Sequence, residues 1–419
     1  MKRLLCILFA LLLLCACAKH YEPSPAPLPE LFESEKPQAD AESPVPEITD
    51  YAGFSDVLAA KLIDGTQNRN LSPISVYLAL AMTAEGAKGE TQAAMLKLLG
   101  AKDLRELRGV CGAMLETLPI DTEDSSLTFT NSIWLAERDS KLQFNESFLD
   151  ALAGVYRSEA HAARFGTTET AQQIADWITE HTHGKIRISK DALVFSPDTV
   201  AVLLNTIYLK DAWRDEFYEG ATKPGTFHAP DGEMTVDYMN RTDPGVTIVK
   251  GDGYLRYSLP LLRVGRMTFV LPDEGTDLSE LLGSPDKLHA LLREGEAVRA
   301  DVRVKLPKFS FQDKLELDQV LASLGVGIAF SSKADFTGMV ESNAAITRVL
   351  QESYIGVDEK GVEAAAYTMV AMPNDGFAMP EDLPKIDFHL TRPFLYAIEA
   401  NDGTVLFIGT VTNPTAHES

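Results

Sequence analysis

Cysteine is scarce in this 419-residue chain: Cys6, Cys15, Cys17 and Cys111 are the only four, and three of them fall in the first seventeen residues. That excludes a disulfide framework, even in a compartment that would permit one. Cys111 lies in the apolar-patterned LRGVCGAML and reads as a buried core thiol. Positive charge is also short. With 38 Lys and Arg against 61 Asp and Glu, the formal charge is −23, which argues against sequence-independent binding to nucleic-acid phosphates. The common catalytic signatures are missing: there is no Gly-x-Ser-x-Gly elbow, no HExxH and no phosphate-cradling glycine loop. His181-x-His183 is a weak metal pattern, because a helix turns those side chains about 200° apart and no further ligand stands nearby. It reads as two exposed histidines near a helix end. Asn145-Glu146-Ser147 matches a glycosylation acceptor by chance. No enzyme, metal or cofactor is expected.

The chain opens on a targeting pattern. Lys2 and Arg3 precede the apolar run Leu4 to Leu14, too short for a comfortable permanent membrane helix. It continues into Leu14-Cys15-Ala16-Cys17, an order that resembles the lipobox of bacterial lipoproteins. That resemblance implies cleavage before Cys17 and acyl chains on it, each buried CH₂ contributing about 0.8 kcal/mol of membrane affinity. The alternative is an ordinary signal peptide with incidental cysteines. Residues 1–16 are thus read as a lipoprotein signal peptide. Residues 17–49, with Pro23, Pro25, Pro27 and Pro29 alternating, are read as a disordered, solvated stalk. The expected location is extracytoplasmic, on a bacterial membrane at the cell surface or in the periplasm.

Residues 50–419 read as one α+β domain, with helical and strand patterns mixed and no repeat. ISVYLALAMTAEGAKGETQAAMLKLL holds two helices separated by Gly86 and Gly89. ETAQQIADWITEHTHG is an amphipathic helix stopped by Gly184. TVAVLLNTIYLKDAW is nearly all apolar, as a central strand is. MTFVLPDEG and VRVKLPKFSF are further strands, and LELDQVLASLGV is a helix ending at Gly325. RPFLYAIEANDGTVLFIGTVTNPT is a hairpin turning at Asn401-Asp402-Gly403. VDEKGVEAAAYTMV alternates like a half-buried strand, yet it leads into AMPNDGFAMPEDLPK, which is loop-like.

These segments, together with THGKI, FVLPDEGTDLSEL and LGVGIAFSSKADFTGM, resemble the serpins, the serine-protease-inhibitor family, in order along nearly all of Tyr51 to Pro414. The resemblance implies a serpin fold of three β-sheets and about nine helices, with an exposed reactive loop near the C-terminus. It implies a monomeric suicide substrate of a serine or cysteine protease. The protease forms an acyl-enzyme with the loop, and the cut loop inserts as a strand into the main sheet. DEKGVEAAA matches the hinge of inhibitory members: Glu359, Lys360, Gly361, Val362, Ala364, Ala365 and Ala366. Its small side chains suit a segment that must stand both outside and inside a sheet, and Gly361 allows a change of backbone conformation. The phase Val362, Ala364, Ala366, Thr368, Val370 is expected to face the core, with Glu363 and Tyr367 outward. Ser72 and Ser75 match the family's shutter serines and Asn205 their hydrogen-bonding partner. Gln351 stands where the shutter histidine is usual, and Trp213 matches the breach tryptophan. Val362 replaces the usual Thr or Ser, and Tyr367 is bulkier than usual.

Counting forward from Glu359 by the family spacing puts the reactive bond at Asp375-Gly376. Counting back from Arg392-Pro393 puts it nearer Asp382. From Gly361 to Asp375 an extended strand spans roughly 46 Å, about the length of the sheet, which favours Asp375 and an aspartate-selective, caspase-like or granzyme-like target. Met372, Phe377 or Met379 would suit chymotrypsin-like, subtilisin-like or papain-like enzymes. The alternative function is that of a non-inhibitory serpin acting as a surface binding module.

Overall fold

A computed structural model describes residues 47–137, 144–197, 199–340, 345–346, 349–362 and 383–415. All of them belong to one unit, Pro44–Ser419. The expected signal peptide and nearly all of the stalk lie outside the described residues.

Nine α-helices stand among the described residues: α1 Tyr51–Leu62, α2 Pro73–Gly86, α3 Gly89–Leu98, α4 Leu104–Thr117, α5 Glu146–Gly154, α6 Thr168–His181, α7 Leu278–Leu281, α8 Pro285–Arg293 and α9 Asp318–Leu321. Their starts follow capping chemistry. Asp50 accepts a 2.9 Å hydrogen bond from the Gly53 amide, Asp103 a 2.8 Å bond from the Glu106 amide, and Pro73 opens α2. α2 is apolar around its whole circumference and is buried almost throughout, whereas α4 and α6 each bury one stripe. The helix expected over LELDQVLASLGV is short. It passes from α9 into a wider turn, Ala322–Val326, in which Gly325 has φ +104°.

The strands are β1 Arg69–Leu71, β2 Ile120–Asp121, β3 Ser126–Ala136, β4 Glu159–Ala163, β5 Ala201–Ala212, β6 Lys223–Ala229, β7 Gly232–Gly251 and β8 Tyr254–Pro260. They continue as β9 Gly265–Pro272, β10 Glu296–Pro307, β11 Phe309–Glu316, β12 Leu350–Val357, β13 Gly361–Val362, β14 Lys385–His389, β15 Phe394–Ala400 and β16 Val405–Val411. They form two hydrogen-bonded sheets. A seven-stranded sheet runs β11-β12-β13-β5-β3-β2, with β4 also on β3; a nine-stranded one runs β1-β16-β15-β9-β8-β7-β10-β14, with β6 also on β7. The expected three sheets appear as two because the 20-residue β7 serves two wings. One end of β7 pairs with β6 and the other with β8, while β10 follows it across a bulge at Ala300/Val302.

The predicted hairpin is β15–β16, turning through Gly403 at φ +90°, and all seven residues of each strand are buried. α2 packs against both β5 and β16, so it ties the two sheets together. α6 covers the seven-stranded sheet through a second apolar cluster that includes Trp134, Phe165, Ile174 and Trp177. Cys111 is fully buried on α4, and burial pushes its thiol up to about 12, as expected of an inert core cysteine.

Candidate functional site

The top of the seven-stranded sheet is where the hinge sequence lies. β12 rises to Val357, turns through Asp358-Glu359-Lys360, and comes back as β13. The Asp358 amide donates to the Gly361 carbonyl (3.1 Å), and the Asp358 carboxylate accepts from the Lys360 amide (2.8 Å). β13 then lies between two strands and is antiparallel to both: Val362 is opposite Val357 of β12 and Asp211 of β5, and Gly361 is opposite Ala212. Val362 is 3 % exposed, so its side chain is in the core, as the alternating pattern requires.

Gly361 is needed here for a reason beyond conformational freedom. A Cβ at this position would stand 2.2 Å from the Asp211 carbonyl oxygen and 2.7 Å from the Ala212 Cα. Only a residue without a side chain lets the two backbones approach this closely.

Trp213 closes the top of the strand. Its amide donates to the Lys360 carbonyl and its indole Nε1 to the Asp358 carbonyl, both at 2.8 Å, and its backbone forms an isolated bridge with Leu261, just past the end of β8. Glu359 is held from two sides. Thr222 Oγ1 donates to one carboxylate oxygen and Lys308 Nζ pairs with the other, each at 2.7 Å. Burial pushes this carboxyl up, but the bonds from Lys308 and Thr222 outweigh it and hold the group below its ordinary value. The Phe217 amide donates to the Glu359 carbonyl, which fixes the turn further.

Lower down, the predicted shutter residues are placed as follows. Ser72 caps the start of α2, and its Oγ donates to the Leu406 carbonyl (2.9 Å). Gln351 on β12 makes a two-bond ring with the Ser72 backbone, accepting from its amide (3.0 Å) and donating to its carbonyl (2.8 Å). Ser75 is buried one turn further along α2. Asn205 departs from the expectation. It bonds neither serine but donates to Asn131 Oδ1 on β3 (2.7 Å), and its own Oδ1 is buried without a partner. Asn131 stands directly opposite Asn205 in the β3–β5 register, which puts the two side chains on the same face and within bonding distance.

Between β5 and β12, below Val362, is a cleft lined by Ile207, Leu209, Tyr354, Ile355 and Gly356, with Thr182 and Ile186 of the segment after α6 over it. Among the described residues β5 and β12 have no direct register with each other; β13 joins them. Ala364, Ala365, Ala366, Met372, Asp375, Gly376, Phe377, Met379 and Cys17 lie outside the described residues. The two histidines of the weak metal pattern do not converge. His181 Nδ1 donates to the Trp177 carbonyl, whereas His183 stacks on Tyr208 with ring centroids 4.1 Å apart.

Sequence reasoning missed Lys308, Thr222, Asn131 and Asp211. The first three are far from their partners in the chain and carry no local signal. Asp211 had one: it is the single acidic residue of a mostly apolar central strand.

Comparison with known proteins fits this geometry. The family model for the serpins (serine protease inhibitors) matches residues 51–414. The chain is 32% identical over 382 residues to an uncharacterized serpin-like protein of Thermococcus kodakarensis, covering 88% of this chain and 86% of that one. It is 29% identical to serpin-Z1C of Triticum aestivum, covering 83% and 90%. The crystal structure of the thermophilic serpin tengpin in its native state superposes with a TM-score of 0.75 at 29% identity, covering 87% of this chain and 93% of that one.

Proposed function

The chain belongs to the serpin family of non-enzymatic protease inhibitors, and we propose that it is itself an inhibitor that traps a serine or cysteine protease by loop insertion. The observation that carries this reading is β13. Two residues of the hinge already lie between β5 and β12, antiparallel to both, at the head of the cleft that the remaining residues would enter.

Continuing that register after cleavage sets Ala364 between Leu209 and Ile355, and Ala366 between Ile207 and Ser353. Thr368 then falls between Asn205 and Gln351. The alanines meet the lining of the cleft, where small side chains pass with least resistance. The Thr368 hydroxyl arrives beside the unpartnered Asn205 Oδ1, a donor for a buried acceptor. About a dozen inserted residues, at roughly 0.5–1.5 kcal/mol net per hydrogen bond, stabilise the cut form by ~10 kcal/mol. The new strand is antiparallel on both sides, the more favourable pairing. The uncut form is therefore held kinetically.

Asp375-Gly376 is the proposed reactive bond, on tether length. A lipid on Cys17 and a stalk to about residue 49 would hold the inhibitor outside the cytoplasm of a bacterial cell, against a membrane. Incubation with a panel of aspartate-selective, chymotrypsin-like, subtilisin-like and papain-like proteases tests the reading. The expected result is an SDS-resistant complex with at least one of them, and mass mapping locates the cut. If every protease that cuts between Met372 and Asp382 leaves only cleaved protein and retains its activity, the chain is a non-inhibitory serpin instead.

A further inference from the structure

Asp211 is buried near the end of β5, 1 % exposed, and its carboxylate faces three donors from two other parts of the chain. Ser125 Oγ, in the connection between β2 and β3, donates to Oδ1. The amides of Arg263 and Val264, in the turn between β8 and β9, donate to Oδ2 at 3.0 and 2.7 Å. The Leu262 amide bonds the neighbouring Ala212 carbonyl at 2.9 Å. A carboxylate is acceptor-only, so both oxygens match their surroundings without any cation. The same residue offers its backbone to the hinge: Val362 is its register partner, and Gly361 packs on its carbonyl oxygen.

We propose that Asp211 is a positioning residue for loop insertion, pinning the receiving end of β5 to the β8–β9 turn and to Ser125 so that the strand starts in one register. This rests on the inhibitory reading above. Trapping is a race between strand entry and hydrolysis of the acyl-enzyme. A receiving edge that shifts slows entry and sends more inhibitor down the substrate branch. Asparagine at this position keeps an acceptor for the two amides but turns an NH₂ group towards Ser125. Ser125→Ala removes one donor and leaves the carboxylate in place, so it perturbs folding less.

The test measures, for wild type, Asp211→Asn and Ser125→Ala, the moles of inhibitor consumed per mole of protease trapped, together with the melting temperature and amide hydrogen exchange at Gly361 and Val362 in uncut protein. Loss of one charge-assisted bond predicts about a tenfold rise in consumption for Asp211→Asn and a smaller rise for Ser125→Ala. Exchange at Gly361 and Val362 should speed up in both. A purely structural role lowers the melting temperature and leaves the ratio unchanged, which overturns the proposal. If wild type traps no protease, the inhibitory reading fails and the role in trapping falls with it; exchange at Gly361 and Val362 then decides only whether Asp211 pins the end of β5, faster exchange in both variants upholding the pinning and unaltered exchange overturning it.

Discussion

The two sheets differ in how their inner strands are paired. In the nine-stranded sheet, β15 and β16 bury every residue and are paired on both sides, against β9 and each other and against β1. In the seven-stranded sheet, β5 is buried at its upper end, where β13 lies against it, but only half-buried over Ala201–Asn205. Thr206 Oγ1 and Asn205 Oδ1 are buried there without partners, but so are Arg69 Nε and Asn70 Nδ2 on β1 of the other sheet, so the difference lies in strand pairing and not in side-chain satisfaction. β15 and β16 are closed on both sides, whereas in the reading proposed above the seam between β5 and β12 receives a further strand. If the cut loop inserts as proposed, the rearrangement is confined to the β5–β12 seam and the rest of the domain serves as its frame.

The sharpest way to break this contrast is a charge in the seam. Ala364→Glu places a carboxylate between Leu209 and Ile355 on insertion, costing several kcal/mol in the inserted state alone. Trapping should disappear and the protein should become a plain substrate, with the melting temperature of uncut protein unchanged; gel assay and calorimetry on one preparation check both. The opposite behaviour belongs to the nine-stranded sheet. Phe394 is fully buried against Phe269 and Phe309. Phe394→Ala should therefore cost about 3–5 kcal/mol in cut and uncut forms alike, read by denaturant titration of each, with the ratio of trapping to hydrolysis preserved.

Gly361→Ala tests the close approach at the hinge. Its Cβ meets the Asp211 backbone, which cannot move aside, so the variant should lose about 1–3 kcal/mol and expel Gly361–Val362 from the sheet. Faster hydrogen exchange at Val362 would report it. Trp213→Phe keeps an aromatic side chain but loses the second ring of a fully buried indole and its bond to the Asp358 carbonyl, about 1–3 kcal/mol together, visible as a drop in melting temperature. The smallest effect is one of pH. Glu359 is depressed below its ordinary value of 4.5, so its contribution to stability is present above that pH and fades as pH falls through the lower, folded value. The difference in melting temperature between wild type and Glu359→Gln should shrink between pH 6 and pH 3.

Much of the fold was legible before the structure. TVAVLLNTIYLKDAW is β5, the Gly86 and Gly89 breaks separate α2 from α3, and the Asn401-Asp402-Gly403 turn joins β15 to β16. Periodicity and turn chemistry are local, and they survive in the sequence. What sequence could not supply is pairing between distant segments. Nothing in the chain announces that β7 spans two wings, that Lys308 meets Glu359, that Gln351 meets the Ser72 backbone, or that Asn205 meets Asn131. The reason for glycine at position 361 likewise became clear only from the distance to β5. Conformational freedom was the reading open to sequence, and close backbone approach is what the fold requires.

The central claim is that the hinge continues into the seam once the loop is cut. The most direct measurement is the melting temperature of the globular domain before and after a single cleavage between Met372 and Asp382. An inserted strand of about a dozen residues predicts a rise of tens of degrees. An unchanged melting temperature in fully cleaved protein would contradict the account.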